Sequence, residues 1–351
     1  MKIGAIPENL LERLAVFFGL VPTPFFDTFN AVIVARAVMV ATKLDVFDAL
    51  ASRPLSATDL AAQLGLDAAA LEKLLNVLVA IGYVQDGPAG FAPTRLTRKW
   101  LMRDSPRSIR DNMLLRFLEW QAIETTEKFV RTGKGLDVHD LICDEQWEVY
   151  QRGMRSLARL SAPEVAARVP GLENPLTMLD VGGGHGAYSA AFCRRYPQLN
   201  ATILDLPQAV EVTTPLVAEE DLEERIVHKA GNAKTEDLGR AVWDIILVSH
   251  LVHHFSDAQN HSLLKRAADA LRPNGIVVIL DVLRDSSGKA GSQTGALLDL
   301  YFALTSLSGI FSAEQIASWL TPKLGIDRII PLRSAPGISL VVAKKAADGK
   351  G

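Results

Sequence analysis

Residues 176–186 read L-T-M-L-D-V-G-G-G-H-G, and residues 201–207 read A-T-I-L-D-L-P. In the first stretch an apolar run (Leu176, Met178, Leu179, Val181) leads straight into glycines at alternate positions, Gly182, Gly184 and Gly186. Glycine there lets the chain turn sharply and lets a ligand approach main-chain atoms with no side chain in the way. The second apolar run ends on Asp205, whose carboxylate can accept two hydrogen bonds from the hydroxyls of a ribose. An ordinary tight strand-to-helix turn needs only the glycines. The terminal acid and the strand–helix–strand frame point further, to a nucleoside site. The spacing is G-x-G-x-G after Asp180, not the G-x-G-x-x-G of a dinucleotide fingerprint, and no Walker lysine follows.

From Thr177 onward, strands alternate with helices. The strands are T-M-L-D-V, A-T-I-L-D, R-I-V-H-K-A, D-I-I-L-V, G-I-V-V-I-L-D and, last, I-S-L-V-V-A, with R-P-N-G at 272–275 as a turn before the fifth. Continuous β-branched apolar runs imply strands buried on both faces, hence a mainly parallel, Rossmann-like α/β sheet covered by helices. Ligands of such sheets bind at the carboxyl ends of the strands. The glycine run, Asp205, Asn232, residues 249–254 and Asp281 all fall at or just beyond those ends.

The first third reads as helical: 31–50, then 58–64 and 68–81 separated at Gly65. A hairpin follows at 83–93, punctuated by Gly87, Pro88 and Gly90. Helix-turn-helix plus hairpin is a winged helix, which raises DNA binding as an alternative. The would-be recognition helix, L-E-K-L-L-N-V-L-V-A-I-G-Y-V, has one lysine and is mostly apolar. Burial against a partner suits it better than a seat on phosphates. Helices over 108–169, carrying Phe117, Trp120, Trp147, Tyr150 and Met154, connect the halves. The expected organisation is therefore a helical unit over 1–107, bridging helices over 108–169 and a sheet domain over 170–346.

Composition narrows the partners. The chain has 351 residues, 48% hydrophobic and 22% charged, with net charge −3, which argues against a polyanion as main partner. Cys143 and Cys193 form no disulfide framework and have no metal-ligand spacing, as in a reducing cytoplasm. The N-terminus lacks the pattern of a signal peptide. The apolar stretch at 15–21 is too short to span a bilayer and is followed by Pro22 and Pro24, so no membrane partner is expected. Residues 346–351 read as a frayed tail.

The motifs D-V-G-G-G-H-G, I-L-D-L-P and V-S-H-L-V-H-H-F-S-D resemble those of the small-molecule O-methyltransferases that use S-adenosylmethionine (SAM), of the caffeic-acid and acetylserotonin type. The similarity runs from about Phe29 to Ala346. It implies SAM as cofactor, held by Gly182, Gly184 and Asp205, with Leu206 and Phe255 against the adenine. Asn232 and its neighbour Ala233 would meet the adenine edge, and Ser249 stands where plant members carry lysine. Tyr150 would lie near the cofactor and Met154 in the acceptor pocket. By the same resemblance the N-terminal module is a homodimer interface.

The resemblance also places His253 as general base. A phenol, with pKa about 10, needs a positioned base, and histidine at about 6.5 is suitably poised. Asp281 takes the place of one orienting glutamate of plant members. The second falls, within one or two residues, on Phe311 in S-L-S-G-I-F-S. The implied acceptor is small and largely apolar, methylated at a hydroxyl. The altered acid pattern keeps a carbon, nitrogen or sulfur acceptor, or a SAM-dependent non-methylating reaction, as the alternative. His250-x2-His253-His254 has only Asp257 as a carboxylate at ligand spacing, so no metal is expected.

Overall fold

The computed structural model describes residue 4 and residues 6–284, 293–306 and 308–346. Leu307 and the expected tail beyond Ala346 lie outside the described residues. The chain forms two compact units, Met1–Phe117 and Leu118–Gly351.

In the first unit, helices Ala57–Leu64 and Ala68–Ala80 are separated at Gly65, whose φ of 67° ends the first. Ser56 and Asp67 cap the two helices through hydrogen bonds to the N–H groups of Asp59 and Ala70. Strands β1 (Val84–Gly87) and β2 (Gly90–Pro93) pair antiparallel as the expected hairpin. Two expectations are corrected here. The single helix read over 31–50 is two, Ala31–Lys43 and Val46–Ala49, interrupted at Asp45 (φ 56°). Asp45 is held there by Arg103 at 3.0 Å and Arg110 at 2.5 Å. The apolar face of the would-be recognition helix is also not left for a partner. Leu71, Leu75 and Leu78 are buried in this unit's own core with Phe47, Leu50 and Leu60. Apolar side chains are instead exposed upstream, among them Leu10, Phe17, Phe25, Phe29 and Ile33.

The second unit is built on an eight-stranded sheet. Its strands are β3 (Thr177–Val181), β4 (Asn200–Asp205), β5 (Ile226–Ala230), β6 (Trp243–Ser249), β7 (Leu271–Arg284), β8 (Phe311–Ser312), β9 (Leu324–Pro331) and β10 (Ile338–Lys345). The order is β5-β4-β3-β6-β7-β10-β9, with the short β8 beside the end of β7. Strands β3 to β7 run parallel; β10 is antiparallel to both its neighbours. Side chains alternate between faces as the pleat requires. Met178, Ile203, Ile245, Leu247, Val278 and Leu340 fill one layer. Leu179, Val181, Ile246, Val248, Val277, Ile279 and Val341 fill the other.

The turn expected before the fifth strand lies inside β7. Trp243 pairs with Leu271 and Ile245 with Ile276, so 272–275 loop out between the pairs, with Asn274 at φ 65°. Strands β8 and β9 have no counterpart in the sequence reading. The first has two residues; the second is an exposed edge strand carrying Asp327 and Arg328, a common protection of an open edge.

Asp180, in β3, is fully buried. One oxygen accepts the Ser189 hydroxyl at 2.7 Å, and the other has no hydrogen-bond partner among the described residues. Burial pushes this carboxyl up to about 7, partly opposed by Ser189. The folded chain thus retains a proton that the unfolded chain has released above its ordinary value of 3.8. Stability contributed at this position therefore falls as pH rises from about 3.8 to about 7 and is level beyond. Asp180→Asn removes the charge at constant shape. Denaturant unfolding of the ligand-free proteins should show the variant gaining on the wild type between pH 5 and pH 8. A pH-independent difference would show that the charge is compensated.

Candidate active site

The rim forms where β3, β4, β6 and β7 end. Val181 pairs with Leu204 on one side and with Val248 on the other, so the three segments that follow leave the sheet at one level. The glycines after β3 occupy the left-handed region, with φ of 69° at Gly182, 35° at Gly184 and 70° at Gly186. Gly183 is needed for a different reason: a Cβ there would lie 2.3 Å from the Asp180 carboxyl carbon.

Asp205 closes the loop from β4. Its Oδ2 accepts the Gly184 N–H at 2.8 Å and its Oδ1 accepts the N–H of Leu206 at 2.7 Å. Burial holds its pKa above the usual carboxylate value, the two donors opposing this only in part. Each oxygen keeps a lone pair for a further donor. Two residues missed by the sequence reading hold Gly184 from other sides. His228 in β5 donates through Nε2 to the Gly184 carbonyl at 3.0 Å. Gln151 fills the place where a Gly184 side chain would go, its Oε1 at 2.5 Å from that hypothetical Cβ.

Beyond β6 the chain makes a short helical turn, Val252–His254. His253 and Asp281 are both buried, at 3% and 2% exposure. His253 Nδ1 lies 3.0 and 2.9 Å from the two Asp281 oxygens. Burial alone would raise the Asp281 pKa, but the charge and hydrogen bond of His253 outweigh it and hold the group below the usual carboxylate range. An ionised carboxylate accepts, so Nδ1 is the donor to Asp281, and in the neutral imidazole Nε2 is the nitrogen with the free lone pair. Phe302, from helix Gln293–Thr305, stacks on the His253 ring with centroids 4.0 Å apart.

The remaining expected residues divide. Phe255 is buried beside this turn, with the Lys234 ammonium 5.4 Å from its ring centre. Ser249 is buried at the end of β6, paired with Leu280. Ala233 packs against the same apolar layer as Phe255. Asn232 is exposed, and its side-chain oxygen accepts the Lys234 N–H at 2.9 Å. Tyr150 and Met154 lie one turn apart on helix Trp147–Arg168, both half-buried. Tyr150 reaches the rim through His139, 5.5 Å away ring to ring, which in turn lies 4.8 Å from His254.

The three histidines after β6 have different neighbours. His253 is taken by Asp281. His250 (φ 51°) has its Nε2 3.5 Å from the Tyr188 hydroxyl. Asp257, the carboxylate at ligand spacing, accepts the Trp319 indole N–H at 3.2 Å. Phe311 is buried edge-on against Trp319, with centroids 4.7 Å apart. Asp299, twelve residues upstream of Phe311, accepts the Ile310 N–H and pairs with Arg284.

Comparison with known proteins agrees with this architecture. The pattern of the O-methyltransferase domain matches residues 126–320, and that of the O-methyltransferase dimerisation domain matches residues 26–103. The apolar helical stretch Thr23–Lys43, long enough by composition to cross a membrane, falls largely within the second match. A 3-hydroxy-5-methyl-1-naphthoate 3-O-methyltransferase of Streptomyces sahachiroi is 26% identical over 92% of this chain and 94% of its own. A human protein described as a probable bifunctional dTTP/UTP pyrophosphatase/methyltransferase is 24% identical over 78% of this chain, but the match spans only 46% of that protein. Human N-acetylserotonin methyltransferase, solved in complex with SAM, superposes with a TM-score of 0.81 at 19% identity, covering 98% of this chain and all of the other. With the catalytic-domain pattern covering more than half of its length, the chain belongs to the O-methyltransferase family.

Proposed function

We propose that this protein transfers a methyl group from SAM to a hydroxyl oxygen of a small, largely apolar acceptor, with His253 as general base. The observation that carries the reading is the contact of His253 Nδ1 with both oxygens of a buried, ionised Asp281. That contact directs the basic Nε2 away from the carboxylate, and Phe302 holds the ring in place.

The residues present suit SAM. Gly184 anchors Asp205 through its N–H, Asp205 retains lone pairs for the two ribose hydroxyls, and Leu206 and Phe255 supply apolar faces for an adenine. Asn232 and Ala233 would meet the adenine edge, Ser249 would line the floor, and Tyr150 and Met154 would border the acceptor. The sulfonium makes its methyl electrophilic. The protein's part is to align the acceptor, exclude water and take the acceptor's proton at His253 Nε2.

The exposed apolar residues of the first unit support a homodimer, and the two free cysteines suit the cytoplasm. Phe311, standing where a second carboxylate is expected, favours one variant of this reading. The acceptor would then be more acidic than a simple phenol, or a carbon, nitrogen or sulfur nucleophile needing less base assistance.

His253→Ala should leave SAM affinity within about twofold by calorimetry and lower kcat by about 10²–10⁴. Unchanged turnover would remove the general-base role. Asp205→Ala should weaken SAM by about tenfold or more, two hydrogen bonds being lost. Phe25 and Phe29 stack at 5.1 Å on the exposed face, and Phe25→Asp/Phe29→Asp should shift the protein from dimer to monomer in sedimentation.

A further inference from the structure

The turn that carries His253 is short and has little main-chain bonding of its own. Over Val252–His254 the chain makes a single helical turn, in which the His254 N–H donates to the Leu251 carbonyl at 3.0 Å and the Phe255 N–H to the Val252 carbonyl at 3.1 Å. Helix Asp257–Ala270 starts directly afterwards, with Ser256 as its N-cap and Ser256 and Gln259 forming a capping box. In such a start the residue before the cap, here Phe255, commonly packs on an apolar residue at the fourth helical position. That position is Asn260, which is fully buried, and an apolar side chain would cost less to bury there. Helix side chains lean toward the N-terminus, so Asn260 reaches back over the turn. Its Nδ2 donates to the Val252 carbonyl at 2.9 Å and to the Phe255 carbonyl at 3.2 Å.

Pairing of main-chain groups does not explain this amide. The Val252 carbonyl already accepts the Phe255 N–H, so at most one of the two Asn260 bonds satisfies a group that lacked a donor. Against that gain, Asn260 Oδ1 is itself buried with no hydrogen-bond partner among the described residues. One polar group is satisfied and another is left bare, so there is no net gain in pairing. What the amide does supply is a brace: one planar group tied to the carbonyl before His253 and to the carbonyl after His254.

We propose that Asn260 is a positioning residue for His253. Asp281 holds the ring at Nδ1 and Phe302 covers its face, but both contacts are to the ring and leave the main chain of the turn unrestrained. Asn260 adds that third restraint, so Nε2 keeps one direction while the acceptor's proton is taken. A misplacement of about 1 Å can lower a rate by about 10². The consequence for methyl transfer rests on the general-base reading; the brace on the turn does not.

Proton NMR of the full-length protein reads the brace directly. The His253 Hδ1 resonance, held in the bond to Asp281, is identified by its loss in His253→Ala. In Asn260→Ala, and in the bulkier Asn260→Leu, this proton should exchange with water at least tenfold faster than in the wild type. Main-chain amides of β6 and β7 should keep wild-type protection, and S-adenosylhomocysteine should bind within about twofold by calorimetry. Unchanged Hδ1 exchange in either variant that unfolds cooperatively overturns the proposal, as does an acceleration shared by the amides of the two strands, which would mean general loosening. Turnover of a phenol that the wild type methylates should fall about 10–100-fold in the Asn260 variants. The double variant His253→Ala/Asn260→Ala should be no slower than His253→Ala alone. Losses that multiply would show that Asn260 does not act through His253 and overturn its positioning role. Full turnover in His253→Ala would instead defeat the general-base reading, and faster Hδ1 exchange in the Asn260 variants would leave the brace standing.

Discussion

The constraint on which this structure depends is the level parallel register of β3 between β4 and β6. It delivers the chain segments after three strands to one rim, and with them acidic groups that leave water on folding. A buried carboxylate must be compensated or protonated. Asp281 is compensated by an imidazole and stays ionised. Asp205 is compensated only in part by two main-chain N–H groups, and its oxygens can still accept from a ligand. Asp180 has one hydroxyl and rises to about 7. Two fully buried acids and one half-buried acid thus acquire different chemistry from what stands opposite them.

A second set of contacts holds helix Trp147–Arg168 to this rim. Arg155 is buried and pairs with Glu219 and, at 2.7 Å, with Glu220, which also meets Arg194 at 2.8 Å. Burying such charges gives little net stability, since desolvation offsets much of the attraction. Its consequence here is registry. The network fixes the helix that sets Gln151 against Gly184 and Tyr150 against His139.

Most of the fold and the convergence of the glycine run, Asp205 and Asp281 on one rim were legible in the sequence because they rest on local signals. A strand running into glycines, and an acid closing the next strand, are adjacent in sequence and constrained by backbone geometry. Strand β9 was not legible, because an exposed edge strand has no continuous apolar run. The break at Asp45 was hidden because ion pairs to Arg103 and Arg110, about 60 residues away, hold its left-handed conformation. His139 and Phe302 were missed for the same reason: each reaches the rim from a helix more than 40 residues distant from His253 in sequence. A lone histidine or phenylalanine in a helical stretch gives no sign of that.

The acceptor side shows how far one substitution propagates. A carboxylate at the position of Phe311 would have to be solvated or paired, whereas a phenyl ring is satisfied by Trp319 alone. Leu283 at the end of β7 therefore pairs with a buried aromatic at Phe311 in β8, and Asp299 upstream meets Arg284 and the Ile310 N–H. The dyad is left with a single carboxylate and an aromatic wall at Phe302. A site of this kind holds the His253 ring against Asp281, and under the proposed general-base role it would offer less stabilisation to an imidazolium formed by taking a proton. Under that reading the remaining stabilisation would come from the acceptor's own acidity, so the buried aromatic at Phe311 and the choice of acceptor are linked.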